Sequence, residues 1–235
     1  MNTVRLIQSA LRLSALALCA ATFCSQSAHA DTFNFFPSSS AGNGALGTSQ
    51  TYTSGSHSIT AYGYSCSFWG SSTDCLSGNS VPWYVSVSSA TLYTKNDGSS
   101  ERGLGINHDP EGDHEISDRD FIDLDLSNLG ATSGTLVISS LQTGESFMFC
   151  YGNSHSGWNS SNCSATFIGS GGNMAVVFNL GSFKDISLIG IHNDVLLSSI
   201  TTASPTPEPQ SLALLGTGLL SAVGMARRRF KAATA

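Results

Sequence analysis

The chain reads as an all-β protein: an antiparallel β-sandwich, jelly-roll-like in order, set between two targeting segments. Three observations lead there. Its central residues are rich in Gly, Ser, Thr and Asn and show no sustained helical period. Its apolar residues come in short runs that alternate with polar ones, the period of a strand with one buried face. Turn-forming residues separate these runs. Two sheets packed face to face bury strands of this kind.

The segments follow in order. Residues 1–30 read as a secretory signal peptide. Arg5 and Arg12 stand in an acid-free start, Leu13 to Cys24 is mostly apolar, and Ala28-His29-Ala30 is a small-x-small cleavage site. The mature chain then begins at Asp31. Residues 31–203 form the ectodomain, long enough for one core. Strands are expected at Ser58–Tyr62, Trp83–Val87, Ala90–Tyr93, Thr135–Leu141, Ser146–Tyr151, Met174–Leu180, Ile186–Ile191 and Val195–Ile200. Ile122, Leu124 and Leu126 alternate with Asp123 and Asp125, which predicts a strand with one buried and one acidic face. Asn43–Ser56 and Ser154–Ser161 read as loops. Residues 204–209 hold three prolines and read as a stiff extended linker.

The ectodomain is more acidic than the chain. The whole chain carries a formal charge of −6. Between Asp31 and Thr202 the bases are Lys95, Arg102, Arg119 and Lys184, and the acids are the chain's 16 less Glu208. Four minus fifteen gives −11. That charge argues against nucleic acid or an anionic membrane surface as partner.

Cys19 and Cys24 leave with the signal peptide, so Cys66, Cys75, Cys150 and Cys163 remain. An even number in an oxidising compartment predicts two disulfides. Three pairings exist. Cys66–Cys75 and Cys150–Cys163 are favoured because each pair brackets a turn-rich segment. The spacings are not C-x-x-C, which speaks against zinc.

Asn107 to Asp125 holds more than half of the ectodomain's acids. Counted from Asn107, oxygen-bearing side chains at Asn107, Asp109, Glu111, Glu115 and Asp118, with Gly112 at the reversal, follow the spacing of a calcium loop. The match has departures: Glu111 replaces a shorter acid, Asp118 replaces a longer one, and Pro110 stiffens the loop. A solvated acidic hairpin is the competing reading, and His108 and His114 leave zinc or manganese as another. The acids are too crowded to single out the differently tuned pair that glycoside hydrolysis needs. The Ser-His stretch within Gly152–Gly157 lacks a nucleophile elbow. No catalytic residue is assigned, and the protein is expected not to be an enzyme. Trp69 and Trp158 each lie between paired cysteines, where a flat ring could stack on a sugar or fold back over its own bridge.

The C-terminal end has three parts. Pro207-Glu208-Pro209 is followed by Ser211, an apolar run over 211–226, and Arg227-Arg228-Arg229 within the basic tail 227–235. As a helix the apolar run reaches roughly 24 Å, short of a bilayer core of about 30 Å. A transient span held by cytoplasmic arginines suits it better than a permanent anchor. These residues resemble the PEP-CTERM sorting tag over 207–231. The resemblance implies processing by a membrane-embedded exosortase after export by the secretion machinery of a Gram-negative-type bacterium. It also implies association with extracellular polysaccharide. The expected function is therefore a non-enzymatic surface or matrix protein, stabilised by calcium and associated with polysaccharide. A carbohydrate-binding module is the alternative, followed by a secreted glycoside hydrolase or lyase.

Overall fold

Alternating burial decides the strands, and their pairing decides the sheets. The computed structural model describes residues 30–202 except 69–74, 76–84, 108–111, 130, 155–156 and 193, together with Gly216, Gly218, Leu219 and Val223. The side chains of 40, 67, 68, 85 and 157–160 are also not described. Ala30–Ser204 form one compact unit. Within it, fifteen strands are described: β1 Asp31–Asn34, β2 Gly44–Gly47, β3 Ser49–Ser54, β4 His57–Phe68, β5 Val85–Ser89, β6 Leu92–Asn96, β7 Arg102–Ile106, β8 Asp120–Asp125, β9 Ser133–Ser139, β10 Ser146–Ser154, β11 Gly157–Cys163, β12 Phe167–Ile168, β13 Met174–Asn179, β14 Asp185–His192 and β15 Leu196–Thr202.

The strands form two antiparallel sheets packed as a sandwich. The first has seven strands in the order β13-β9-β15-β7-β6-β2, with β1 also on β15. The second has eight, in the order β11-β10-β14-β8-β4-β3, with β12 on β10 and β5 on β4. Between them lies one apolar core. Phe33, Leu92, Leu104, Ile106, Leu136 and Phe178 enter it from the first sheet, and Ile59, Ile122, Leu124, Phe147 and Leu188 from the second. The first and last strands of the domain pair, with Asp31 opposite Thr202. Asp31 is also held by His57, Oδ2 to Nδ1 at 2.6 Å.

Every strand expected from alternation is present among the described residues; Trp83 and Tyr84, at the start of one of them, lie outside those residues. Two expected loops are not loops. Residues 44–54 form β2 and β3, because Tyr52 turns inward against Phe35 while its neighbours face out, at a ring separation of 4.7 Å. Residues 154–161 belong largely to the hairpin β10–β11, whose register places Cys150 directly opposite Cys163. The fold also adds β7, whose sequence is RGLGI. A Cβ on Gly103 would meet the Leu197 carbonyl at 2.6 Å, and one on Gly105 would collide with the backbone of His114. Leu104 and Ile106 do alternate, but glycine stands between them for close approach, so no polar side chain marks the other face.

The acidic face expected on β8 is largely buried: Asp123 is 1% exposed and Asp125 is half-buried. β8 is an inner strand between β14 and β4, and a second apolar cluster covers part of the outer side of this sheet. That cluster joins Phe121, Ile189, Cys75 and Cys150, with Tyr64, Cys66, Val87, Met148 and Cys163 packed against it.

The outer face of the first sheet is different in kind. In register across four strands run Val177, Thr135, Thr201 and Thr32, and beside them Ala175, Val137, Ser199 and Asn34. None of these side chains is charged.

Candidate functional site

The expected disulfides form: Cys66 with Cys75 and Cys150 with Cys163. Both lie in the second apolar cluster, on the outside of the eight-stranded sheet. The backbone N–H groups of Cys66 and Cys75 donate to the carbonyls of Arg119 and Asp118, both at 2.8 Å. The first bridge thus fastens β4 to the turn that leads into β8. Tyr64 stacks on Phe121 at 4.9 Å beneath it. Each bridge closes a short loop and stabilises the domain by about 3 kcal/mol in the loop-entropy account.

The acidic segment is divided by the fold. Asn107 is exposed beyond the end of β7. Asp109 and Glu111 lie outside the described residues. Gly112 has φ +80°, as expected for a reversal. Asp113 Oδ1 accepts the backbone N–H of Glu115 at 3.1 Å. Asp118 is half-buried beside Arg119, with 3.9 Å between Oδ1 and Nε. Asp123 Oδ2 accepts from Ser187 at 2.9 Å, and Asp120 Oδ2 from Ser117 at 3.1 Å. Among the described residues, no group of three or more His, Cys, Asp or Glu side chains is placed to hold a metal ion.

Glu115 has the most developed surroundings. It is 4% exposed. Its Oε1 accepts from Lys95 Nζ at 3.0 Å and from Ser140 Oγ at 2.8 Å. Lys95 reaches Glu101 as well, at 3.2 Å. Two non-glycine residues with positive φ border the group, His114 at 67° and Ser140 at 56°. Such backbone costs about 1 kcal/mol or more per residue and persists only where neighbours impose it. His114 stacks on Tyr93 at 4.1 Å, and the Ser140 N–H donates to the Ser100 carbonyl at 2.7 Å. Burial pushes the Glu115 carboxyl up to about 7, against the pull of Ser140 and Lys95 and with some help from the charge of Asp113. Burial alone would lower the Lys95 pKa, but its bonds to Glu115 and Glu101 outweigh that and leave it raised. Lys95 therefore stays charged, and Glu115 is the group that titrates.

Ser140 and Glu101 also line an open polar cleft of about 570 Å³ with Ser100, Gln142 and Thr143. The sequence reading missed the parts that Lys95 and Ser140 play. The scarcity of cations was a usable signal for Lys95, since a domain with four bases seldom leaves one idle. Ser140 carried no signal, because nothing in its neighbourhood announces a left-handed backbone.

Glu115 as a calcium ligand must be weighed against its ammonium partner. A cation arriving at Oε1 would displace or repel Lys95. Asp118 stands beside the Arg119 guanidinium, and Asp109 and Glu111 lie outside the described residues. Of the two tryptophans, Trp158 lies on β11 opposite Gly152, and Trp69 lies outside the described residues.

The residues of the sorting tag, Pro207, Glu208, Pro209, Ser211, Arg227, Arg228 and Arg229, also lie outside the described residues. Four described positions in 216–223 are helical. Among the described residues, no helix is long and apolar enough to cross a membrane. Residues 205–229 match the family model of the PEP-CTERM protein-sorting motif. The chain carries a PEP-CTERM sorting tag. The match covers the C-terminal region alone. No curated protein and no solved structure matches the chain. A PEP-CTERM tag marks an exported, cell-surface protein of Gram-negative bacteria that is sorted by exosortase-type processing.

Proposed function

We propose that the protein is a non-enzymatic component of the cell surface or extracellular matrix. Its disulfide-stapled sandwich is the part delivered, and the tag is the part read and removed. The observation that carries this is the sorting motif at 205–229. The two disulfides support it, since such bridges persist in an oxidising compartment. The engagement of Glu115 supports the non-enzymatic part. A carboxyl poised near neutral pH could serve as an acid or base, but here it is buried and bonded to an ammonium and a hydroxyl. Polysaccharide is the proposed partner of the mature domain, tested by binding to a glycan array. Calcium enters through Asn107, Asp109, Glu111 and Asp118.

The test of the sorting role replaces Pro207, Glu208 and Pro209 with alanine in the native host. The domain should still be exported, and its C-terminus should no longer be trimmed. Equal mature masses for variant and wild type would refute the role assigned to the tag.

A further inference from the structure

One lateral edge of the sandwich is free of charge. From Ser146 to Phe183 the sequence contains no Asp, Glu, Lys or Arg, in a domain whose net charge is −11. The fold places this stretch in β10, β11, β12 and β13, so that it supplies the last strand of both sheets. β13 ends the seven-stranded sheet and pairs only with β9, so among the described residues no strand lies on its other side, where the Asn179 N–H donates to the Tyr151 hydroxyl at 3.1 Å and would exchange that partner on strand pairing. An edge strand presents unpaired N–H and C=O groups, and natural sheets usually guard such an edge with a Lys, a Pro or a bulge. The sequence of β13, MAVVFN, has no Lys and no Pro, and its register with β9 runs unbroken from Met174 to Asn179. Its central outward residue, Val177, is 76% exposed. Val177 and Ile168 are the exposed large hydrophobics among the described residues of the domain, and both lie in the charge-free stretch.

We propose that the domain self-associates by antiparallel pairing of β13 with β13 of a second copy about a two-fold axis. The charge distribution selects the occupant. Two copies at −11 repel wherever acids face each other, and this edge lets them meet without bringing acids together. The flanking outer face, with its rows of Thr, Ser, Ala, Val and Asn, adds no charge to the approach. These rows next to β13 carry no aromatic ring on which a sugar could stack, which disfavours polysaccharide here. The strand complements itself. An axis through Val177 sets Val177 against Val177 of the partner and Ala175 against Asn179, small side chains outside. Val176 and Phe178 then extend the apolar layer inside. The result is a continuous sheet across two copies, the isologous arrangement that closes on itself.

The test is the molar mass in solution of the exported, disulfide-bonded protein, followed from about 1 µM to 1 mM, the range of weak complexes. A monomer–dimer equilibrium is expected. It should tighten as salt rises towards 1 M, where the screening length falls to about 3 Å. Val177→Lys should weaken the dimer tenfold or more and leave the melting temperature unchanged, because the side chain is exposed. Val177→Thr should keep the dimer. A wild type that stays monomeric throughout, whether or not it binds polysaccharide, overturns the proposal. So does a dimer that survives Val177→Lys, since its contact would then lie elsewhere.

Discussion

Glu115 shows how far one residue can depart from its neighbours in sequence. It sits in the densest run of acids, yet the fold draws it inside towards Lys95 and Ser140. Its carboxyl is raised from 4.5 to about 7. Below 4.5 the folded and unfolded chains both hold this proton. Between 4.5 and 7 the folded chain keeps it and the unfolded chain has lost it, so stability falls as pH rises through that window. A shift of this size corresponds to about 3 kcal/mol. Urea unfolding from pH 4.5 to 7.5 should show the decline in wild type. Glu115→Gln keeps an acceptor for Lys95 and Ser140 and removes the titration, so its decline should be smaller by that amount. Equal slopes in the two proteins would refute the assignment. Sequence spacing alone made Glu115 a calcium ligand, because spacing records distance along the chain and not the partner across the sheet.

At the scale of elements, alternation was readable and close approach was not. β4, β8, β13 and β14 announce themselves by apolar residues at every second position, although Asp120 and Asp123 of β8 proved buried. β7 is harder to read, because its alternating Leu104 and Ile106 are separated by Gly103 and Gly105, which yield space to Leu197 and to the His114 backbone instead of marking a polar face. Gly105→Ala should therefore destabilise the domain by several kcal/mol, as overpacking against a fixed backbone does, read as a fall in denaturation midpoint. Gly112→Ala, where no atom lies within 4 Å, should cost only the strain of its positive φ. β11 was hidden for another reason. Its letters, GWNSSNC, look like a loop, and its pairing rests on Cys163 opposite Cys150. The cysteine count predicted that bridge without revealing that it joins two strands. The acidic loop belongs to this scale too. If Asn107, Asp109, Glu111 and Asp118 take calcium, millimolar calcium should raise the melting temperature more than magnesium does, because magnesium demands tighter octahedral geometry. Asp109→Ala with Glu111→Ala should abolish the difference. Equal shifts for both ions, unchanged in the double variant, would mean simple screening.

For the whole molecule, the sorting tag and the expected signal peptide adjoin the domain at paired positions. Asp31, the expected mature N-terminus, lies opposite Thr202, the end of the last strand. The sandwich is thus closed by its own first and last strands before either targeting segment begins, and it keeps its core and both disulfides within residues 31–202. The sorting motif was legible in sequence, because its proline motif, apolar run and arginines follow one another along the chain. The work of the domain was less legible, because its surface chemistry depends on which strands become neighbours. The most direct test of the account is the intact mass of the mature protein recovered from its native host. The account predicts a chain that begins at Asp31, lacks the apolar run 211–226 and the basic tail, and carries two disulfides. A mass that retains the C-terminal tail through Ala235 would contradict it.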